Sequence, residues 1–356
     1  MTNIHQFTPL ISSSDGVSGS LFLTQTLLRS LGYHSEIYAE KTSNTLAKEV
    51  FSLDQFNSGD CALLLVHHSM GHDLEDWLAS ITCPRILVYH NRTPSRYFNR
   101  DSEEYYYSIK GRQQLQQWKT LFSGAICVSP YNREELEEIG YKNLAVIPLL
   151  VDSKRFNPDI EHCGSEQHYQ SDETLILSVG RIVENKRQHL LLEALWYLKQ
   201  MHPSKPVRLV LVGGTTSENY HHQLLARVCE LDLEREITFT GKCSDGQLRR
   251  LYQQANIMWC ASEHEGFCIP LIEANSFSLP IISFATSNIP DTLGKSGILI
   301  EEPNPITMAY TTLSILKDAT LAETLIAAGT ENLQRFTSDT LTPALRNYLE
   351  ERGVTP

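Results

Sequence analysis

The stretch Ser262-Glu263-His264-Glu265-Gly266-Phe267-Cys268-Ile269-Pro270-Leu271-Ile272-Glu273-Ala274 closely follows an apolar run, Ala255-Asn256-Ile257-Met258-Trp259-Cys260, that reads as a buried strand. Gly266 permits a tight turn. Pro270 suits the first helical position, where its missing N–H costs no intrahelical bond. Glu265 therefore falls in the loop before a helix, and Glu273 in that helix's first turn or just beyond it. Backbone N–H groups near Phe267 and Cys268 are left free at the positive end of the helix dipole, a floor able to hold hydroxyls or anions. Two carboxylates bracketing such a floor suit vicinal diols, because each can accept two hydroxyl hydrogen bonds in a fork. The other reading is a surface acid and a dipole-matching acid. The stretch by itself does not choose between them.

Outward from this stretch the chain alternates strand and helix. In the C-terminal half, Thr174-Leu175-Ile176-Leu177-Ser178-Val179 is a buried strand that runs into Gly180-Arg181, a loop with Lys186, and a helix over 188–199. A strand at 208–212 ends in Gly213-Gly214, and one at 236–240 ends in Gly241, with Lys242 and Cys243 next. Strands at 280–284 and 297–300 follow the organising stretch, and 305–351 reads as helical. In the N-terminal half a strand at 3–7 leads into the loop Ser12-Ser13-Ser14-Asp15-Gly16-Val17-Ser18-Gly19-Ser20, then a helix carrying Leu21, Leu27, Leu28 and Leu31. Gly16 and Gly19 could bring that loop close to a phosphate, but their spacing is not the dinucleotide fingerprint. A strand at 36–39 follows. Strands at 61–66 and 85–89 deliver His67-His68 and His90-Asn91-Arg92 at their ends. A strand at 125–129, an acidic helix at 132–139 and a strand at 144–148 complete this half. Residues 153–172 lose apolar character and read as a linker. The fold expected is α/β: two Rossmann-like domains whose parallel sheets face a cleft between them.

The length of 356 residues accommodates two ordinary domains, and a 41% apolar share supplies their cores. A formal net charge of -12 argues against nucleic-acid binding, so a phosphate-bearing ligand needs locally placed cations. No apolar run suggests a spanning helix, and residues 1–7 show no secretory signal. The eight cysteines include no Cys-x-x-Cys pair and no zinc spacing, which points to reduced thiols in the cytoplasm. Between Arg92 and Lys119, basic residues alternate with Tyr97, Phe98, Tyr105, Tyr106, Tyr107 and Trp118. This is either a surface for a carbohydrate or lipid-linked acceptor, with peripheral membrane contact, or a helical hairpin with inward aromatics, the reading slightly favoured.

Polar groups just past strand ends are where ligands sit in open α/β sheets. His67, His68, His90 and Asn91 hold such places in the first half. Arg181 and Lys186 hold them in the second, where a guanidinium fork and a compact ammonium could neutralise a diphosphate. The alternative pairs Arg181 with Glu184 and leaves Lys186 in solvent.

The order Ser178-Val179-Gly180-Arg181, Lys186, Val212-Gly213-Gly214, Phe239-Thr240-Gly241, Leu251-Tyr252-Gln253-Gln254-Ala255 and Glu265-Gly266-Phe267 with Glu273 resembles the retaining glycosyltransferases of family 4, which have the GT-B fold. The spacing of Glu265 and Glu273 matches the family's paired-glutamate motif. The resemblance is continuous over about 175–300 and looser before that. It implies that Arg181 and Lys186 bind the donor's diphosphate beside Gly180 and Gly213, and that Glu273 holds the ribose. Glu265 would hold the transferred sugar, with backbone N–H groups of Gly266, Phe267 and Cys268. Lys242 and Cys243 would border the base, Gly16 and Gly19 the phosphate, and His90 the reacting carbon. His67, His68, His90 and Asn91 would lie on the acceptor side. It also implies domains at 1–155 and 173–330, a linker at 156–172, and a helix at 331–356 that returns to the first domain. Two departures stand out: Cys268 where the family usually has Gly, and Asp15-Gly16-Val17-Ser18-Gly19 in place of paired glycines.

The expected function is hexosyl transfer with retention, from GDP-mannose or a UDP-hexose to a glycan or lipid-linked hydroxyl, in bacterial surface polysaccharide synthesis. With no Asp-x-Asp motif, no obligatory metal or other cofactor is expected. The enzyme would work in the cytoplasm, or at the inner face of the membrane. A non-catalytic nucleotide- or glycan-binding protein and a nucleotide-sugar epimerase on the same fold are the alternatives.

Overall fold

The computed structural model describes residues 1–12, 16–151 and 173–356. The expected linker at 156–172 and Asp15 of the first loop lie outside the described residues. The chain divides into two units, Met1–Leu150 with Arg335–Pro356, and Val151–Gln334.

The first unit carries β1 (Ile4–Ile11), β2 (Ile37–Thr42), β3 (Phe51–Ser52), β4 (Leu63–His68), β5 (Arg85–Tyr89), β6 (Gly124–Cys127) and β7 (Leu144–Val146). They form one parallel sheet in the order β3-β2-β1-β4-β5-β6-β7. Its helices are α1 (Gly16–Ser30), α2 (Glu75–Ser80), α3 (Glu103–Gln117) and α4 (Pro130–Ile139). Leu63 and Leu65 pack on one face of the sheet and Leu64 and Val66 on the other, so β4 is apolar throughout rather than alternating.

Two expectations fail here. Residues 12–20 are not one long loop, because α1 begins at Gly16 and takes Gly16 and Gly19 into its first turn. The glycine penalty of about 1 kcal/mol each is outweighed by docking Leu21, Leu27 and Leu28 into the core, and the Ser12 amide finds its acceptor on Ser18 Oγ at 3.0 Å. Nor is 92–119 a helical hairpin. Ser102 caps a single helix, α3, which passes into a 3-10 turn at buried Trp118.

The second unit carries β8 (Thr174–Val179), β9 (Val207–Val212), β10 (Ile237–Gly241), β11 (Ile257–Cys260), β12 (Ile281–Phe284) and β13 (Ile298–Ile300). Its helices are α5 (Gln188–Met201), α6 (Glu218–Glu230), α7 (Asp245–Gln254), α8 (Ile269–Ser276), α9 (Ile289–Leu293), α10 (Pro305–Lys317) and α11 (Ala319–Leu333). The sheet is again parallel, in the order β10-β9-β8-β11-β12-β13. The winding reverses between β8 and β11, and between β1 and β4 in the first unit. At such switch points the loops diverge and leave a crevice at the strands' carboxyl ends.

The expected helical tail is three helices, and the last, α12 (Ser338–Glu350), packs in the first unit. Its Leu341, Leu345, Tyr348 and Leu349 join the cluster of Ile4, Leu28 and Leu65, and Tyr348 Oη donates to the Asn143 carbonyl at 3.1 Å. Among the described residues no helix is long and apolar enough to cross a membrane.

The loops at the carboxyl ends of β8, β9 and β10 are stitched by backbone bonds. Gly180 N donates to Val212 O at 2.8 Å, Ile182 N to Gly214 O at 3.0 Å, and Gly213 N to Gly241 O at 3.0 Å. Gly213 has φ 147°, and a Cβ there would stand 2.1 Å from the Gly180 carbonyl oxygen. Gly213→Ala should therefore cost roughly 2–3 kcal/mol, because neither backbone can retreat without breaking the stitch. A urea midpoint equal to that of the parent would disprove the close approach.

Candidate functional site

At the β8/β11 switch point the loop after β8 is bolted to the loop after β11. Asn185, buried in a 3-10 turn, accepts Glu263 N on its carbonyl at 2.8 Å and donates Nδ2 to His264 O at 3.3 Å. Arg187 Nε donates to Glu263 Oε2 at 2.8 Å. This bolt holds Lys186 Nζ directly on Glu265 Oε1. The side chains are 18% and 13% exposed, so the pair is largely out of water. Burial opposes both charges, but each ion overrides it for the other: Lys186 is held above its ordinary pKa and Glu265 below. Both are ionised at neutral pH. The Lys186 stem lies over Gly180, where a Cβ would meet it at 3.6 Å.

Glu265 is further fixed by Ser287, whose Oγ accepts its backbone N–H at 2.8 Å. The chain bends at Gly266 and Phe267, as expected, and its left-handed residue is Cys268, the N-cap of α8, with φ 76° and ψ 66°. A Cβ in the left-handed region costs roughly 1–2 kcal/mol, which glycine would avoid. Helix α8 starts at Ile269, one residue before the expected Pro270. Glu273 is consequently its fifth residue, buried, and accepts the Tyr252 hydroxyl at 2.9 Å. Arg181 follows β8 with an exposed side chain and no ion pair among the described residues. Glu184, its expected alternative partner, accepts from Ser217 Oγ at 2.7 Å instead. Lys242 is exposed and packs against Gly214, while Cys243 Sγ donates to Thr240 Oγ1 at 3.3 Å. One group of donor atoms here could hold a metal ion: the sulfurs of Cys260 and Cys268 and a Glu265 oxygen lie within 4.8 Å of one another.

The first unit brings together a second set. His67 Nδ1 lies 2.8 Å from His90 Nε2, and His67 Nε2 lies 3.0 Å from Gln6 Oε1. Gln6 Nε2 donates to the Leu21 carbonyl at 3.1 Å, which orients its amide. Burial pushes His90 down to about 4 and, with the neighbouring His90, holds His67 well below its ordinary pKa, so both rings are neutral at pH 7. The tautomers follow in sequence. Gln6 Oε1 can only accept, so His67 carries its proton on Nε2 and accepts on Nδ1. His90 must then donate from Nε2, which leaves His90 Nδ1 as a bare lone pair. That atom is buried without a partner, ready to accept from a hydroxyl.

His68 does not join this set. It points to the other face of β4, toward the Gly111 carbonyl at 3.3 Å and the Trp118 ring at 5.7 Å. Asn91, at φ 74°, is tied into the core by Asn132 Oδ1 at 2.8 Å. Sequence reasoning passed over Asn185, Ser287 and Gln6. Gln6 had a signal, a lone amide inside an apolar strand; the other two had none short of the fold.

A family model described as "Glycosyl transferases group 1" matches residues 165–332. The D-inositol 3-phosphate glycosyltransferase of Streptomyces bingchenggensis is 27% identical over 230 residues, 59% of this chain and 50% of that protein. The mannosylfructose-phosphate synthase of Agrobacterium fabrum is 28% identical over 154 residues, 41% of this chain and 34% of that protein. This chain thus spans about half, or less, of the length of the curated relatives it matches. Anabaena Alr3699/HepE, solved in complex with UDP and glucose, superposes with TM-score 0.75 at 15% identity, over 99% of this chain and 100% of that one. The sucrose-phosphate synthase of Thermosynechococcus elongatus superposes with TM-score 0.72 at 18% identity, over 99% of each chain. At these identities the likeness is one of fold, and the fold of this chain is GT-B: two Rossmann-like α/β units, each on a parallel sheet.

Proposed function

We propose that the chain is a retaining, family 4 glycosyltransferase that moves a hexosyl unit from a nucleotide diphosphate sugar to a hydroxyl of a glycan or lipid-linked acceptor. The observation that carries this reading is the Lys186–Glu265 pair, bolted at the β8/β11 switch point inside the segment that the glycosyltransferase model matches. The names of the curated relatives, transferases and synthases of sugar phosphates, support it.

In this reading Lys186 and Arg181 receive the diphosphate. Negative charge grows on the leaving oxygen as the sugar gains oxocarbenium character, and cations already in place stabilise it without reorganisation. Glu265 orients Lys186 and accepts from the sugar's hydroxyls. Glu273, held by Tyr252, takes the ribose, and Lys242 and Cys243 border the base. His90 presents its bare Nδ1 to a substrate hydroxyl. The leaving phosphate accepts the acceptor's proton, so no protein base and no obligatory metal is needed. GDP-mannose and UDP-hexoses are the donors to test first. The setting would be surface polysaccharide synthesis on the cytoplasmic side.

A thermal-shift screen of nucleotide sugars identifies the donor, which at about 100 times its Kd should add about 2.7 kcal/mol of stability. Transfer from that donor should fall by about 10²-fold or more in Arg181→Ala. Undiminished turnover in that variant would remove Arg181 from the diphosphate site. Donor conversion with no acceptor present would favour an epimerase, and binding with no conversion a non-catalytic protein.

A further inference from the structure

The first unit holds a buried guanidinium that makes no direct ion pair among the described residues. Arg92 is only 5% exposed. Its Nη1 donates to the Ser108 carbonyl and to Ser108 Oγ, both at 3.1 Å and both neutral. Its Nε is buried with no acceptor. Glu135, the nearby acid, attracts Arg92 only through space, its Oε2 accepting the Tyr89 hydroxyl at 2.7 Å. A buried charge without a partner ion costs several kcal/mol, so proteins rarely retain one that nothing ever neutralises.

Arg92 lines a cavity of about 290 Å³ together with Pro94, Ser95, Arg96, Ile109, Arg112 and Gln113. Among the described residues three arginines and no acid line this cavity, in a chain whose net charge is -12. Arg96 is braced by Tyr97, donating to its hydroxyl at 2.8 Å and lying 4.7 Å from the ring centroid. Arg112 projects from α3 and has no ion pair among the described residues. Guanidinium forks match the oxygens of phosphate, which can take several charge-assisted hydrogen bonds at once. Pro94 and half-exposed Ile109 give the same cavity an apolar wall.

We propose that this cavity is a binding site for the phosphate group of a phosphorylated ligand, with Arg92 as its buried anchor and Arg96 and Arg112 as its outer grip. The ligand is a phosphate ester whose unphosphorylated part meets Pro94 and Ile109. Calling it the acceptor rests on the glycosyl-transfer reading; the binding of phosphate does not.

The test titrates the full chain with inorganic pyrophosphate by calorimetry, in the Arg181→Ala background so that the second unit's cations contribute less. Binding should weaken at least about tenfold in Arg112→Gln, one charge-assisted bond being worth 1.4 kcal/mol or more. Arg92→Gln should abolish it. Should Arg92→Gln fail to fold, Arg96→Gln serves beside Arg112→Gln, since both side chains are exposed. Pyrophosphate affinity unchanged in Arg112→Gln and Arg96→Gln, or no binding at all, overturns the site. Two further arms separate the ligand's source. Arginine-dependent binding to phosphatidylglycerol vesicles but not to a soluble sugar phosphate makes it lipid-borne, and the reverse makes it soluble. Loss of phosphate binding in Arg112→Gln alongside failure of every donor to support transfer would leave this site standing and the transfer reading refuted.

Discussion

Replacing Lys186 by methionine is expected to lower transfer by about 10²-fold or more and to destabilise the second unit by roughly 3 kcal/mol. The activity loss follows from removing a cation already in place at the leaving phosphate. The stability loss follows from Glu265, which remains among buried groups with no counter-ion. Glu265→Gln should be costly in the same way, because it strands the ammonium. The double variant should recover part of the stability, since two neutral groups carry no orphaned charge. It should recover none of the activity. Urea denaturation of the four proteins, with initial rates on the donor, measures both effects. Additive losses would mean that the two ions do not act as a pair.

Acid should unfold the first unit well before the second. Five of its histidines, His5, His67, His68, His72 and His90, are buried. Burial is the main cause in each case. It pushes His68 down to about 3, His5, His72 and His90 down to about 4, and His67 well below its ordinary value. In the unfolded chain each titrates near pH 6.5. Between about pH 6.5 and pH 4 the unfolded state therefore binds protons that the folded state refuses. Stability is fully present above that window and is lost as pH falls through it, by about 1.4 kcal/mol per pH unit for each histidine. Among the described residues of the second unit, His189 shows such a fall, again mainly from burial. Thermal unfolding followed by fluorescence across about pH 7 to pH 5, in single-tryptophan variants, should show the transition reported by Trp77 or Trp118 falling away from that reported by Trp196 or Trp259. Parallel movement of the two transitions would mean that the first unit's histidines take up protons without unfolding it.

The elements were legible where local chemistry and tertiary packing agree. Ser129 and Gly140 bound α4 as a polar cap and a left-handed stop, with φ 100° at Gly140, and Ser244 with Gln247 closes a capping box at the start of α7. Both signals lie within a few residues of the turn they make. The start of α1 was not legible, because glycine and serine there argue for a loop and only the docking of Leu21, Leu27 and Leu28 decides otherwise. The two histidines of β4 could not be told apart in sequence. Adjacent strand residues point to opposite faces, which sends His67 to Gln6 and His90 and sends His68 to Trp118.

By itself, the sequence determined the alternation of apolar strand and amphipathic helix, the glycine-ended strands of the second unit, and the spacing of Glu265 and Glu273. These are properties of neighbours along the chain, set by side-chain period and backbone sterics. The tertiary structure alone decided which charges meet. Lys186 and Glu265 lie 79 residues apart and touch because β8 and β11 are adjacent in the sheet and Asn185 fastens their loops. Arg92 makes no direct ion pair, because the fold sets Glu135 against the Tyr89 hydroxyl and leaves it to act on Arg92 only through space. A pairing between distant residues depends on sheet order and burial, and neither is written in any short stretch of sequence.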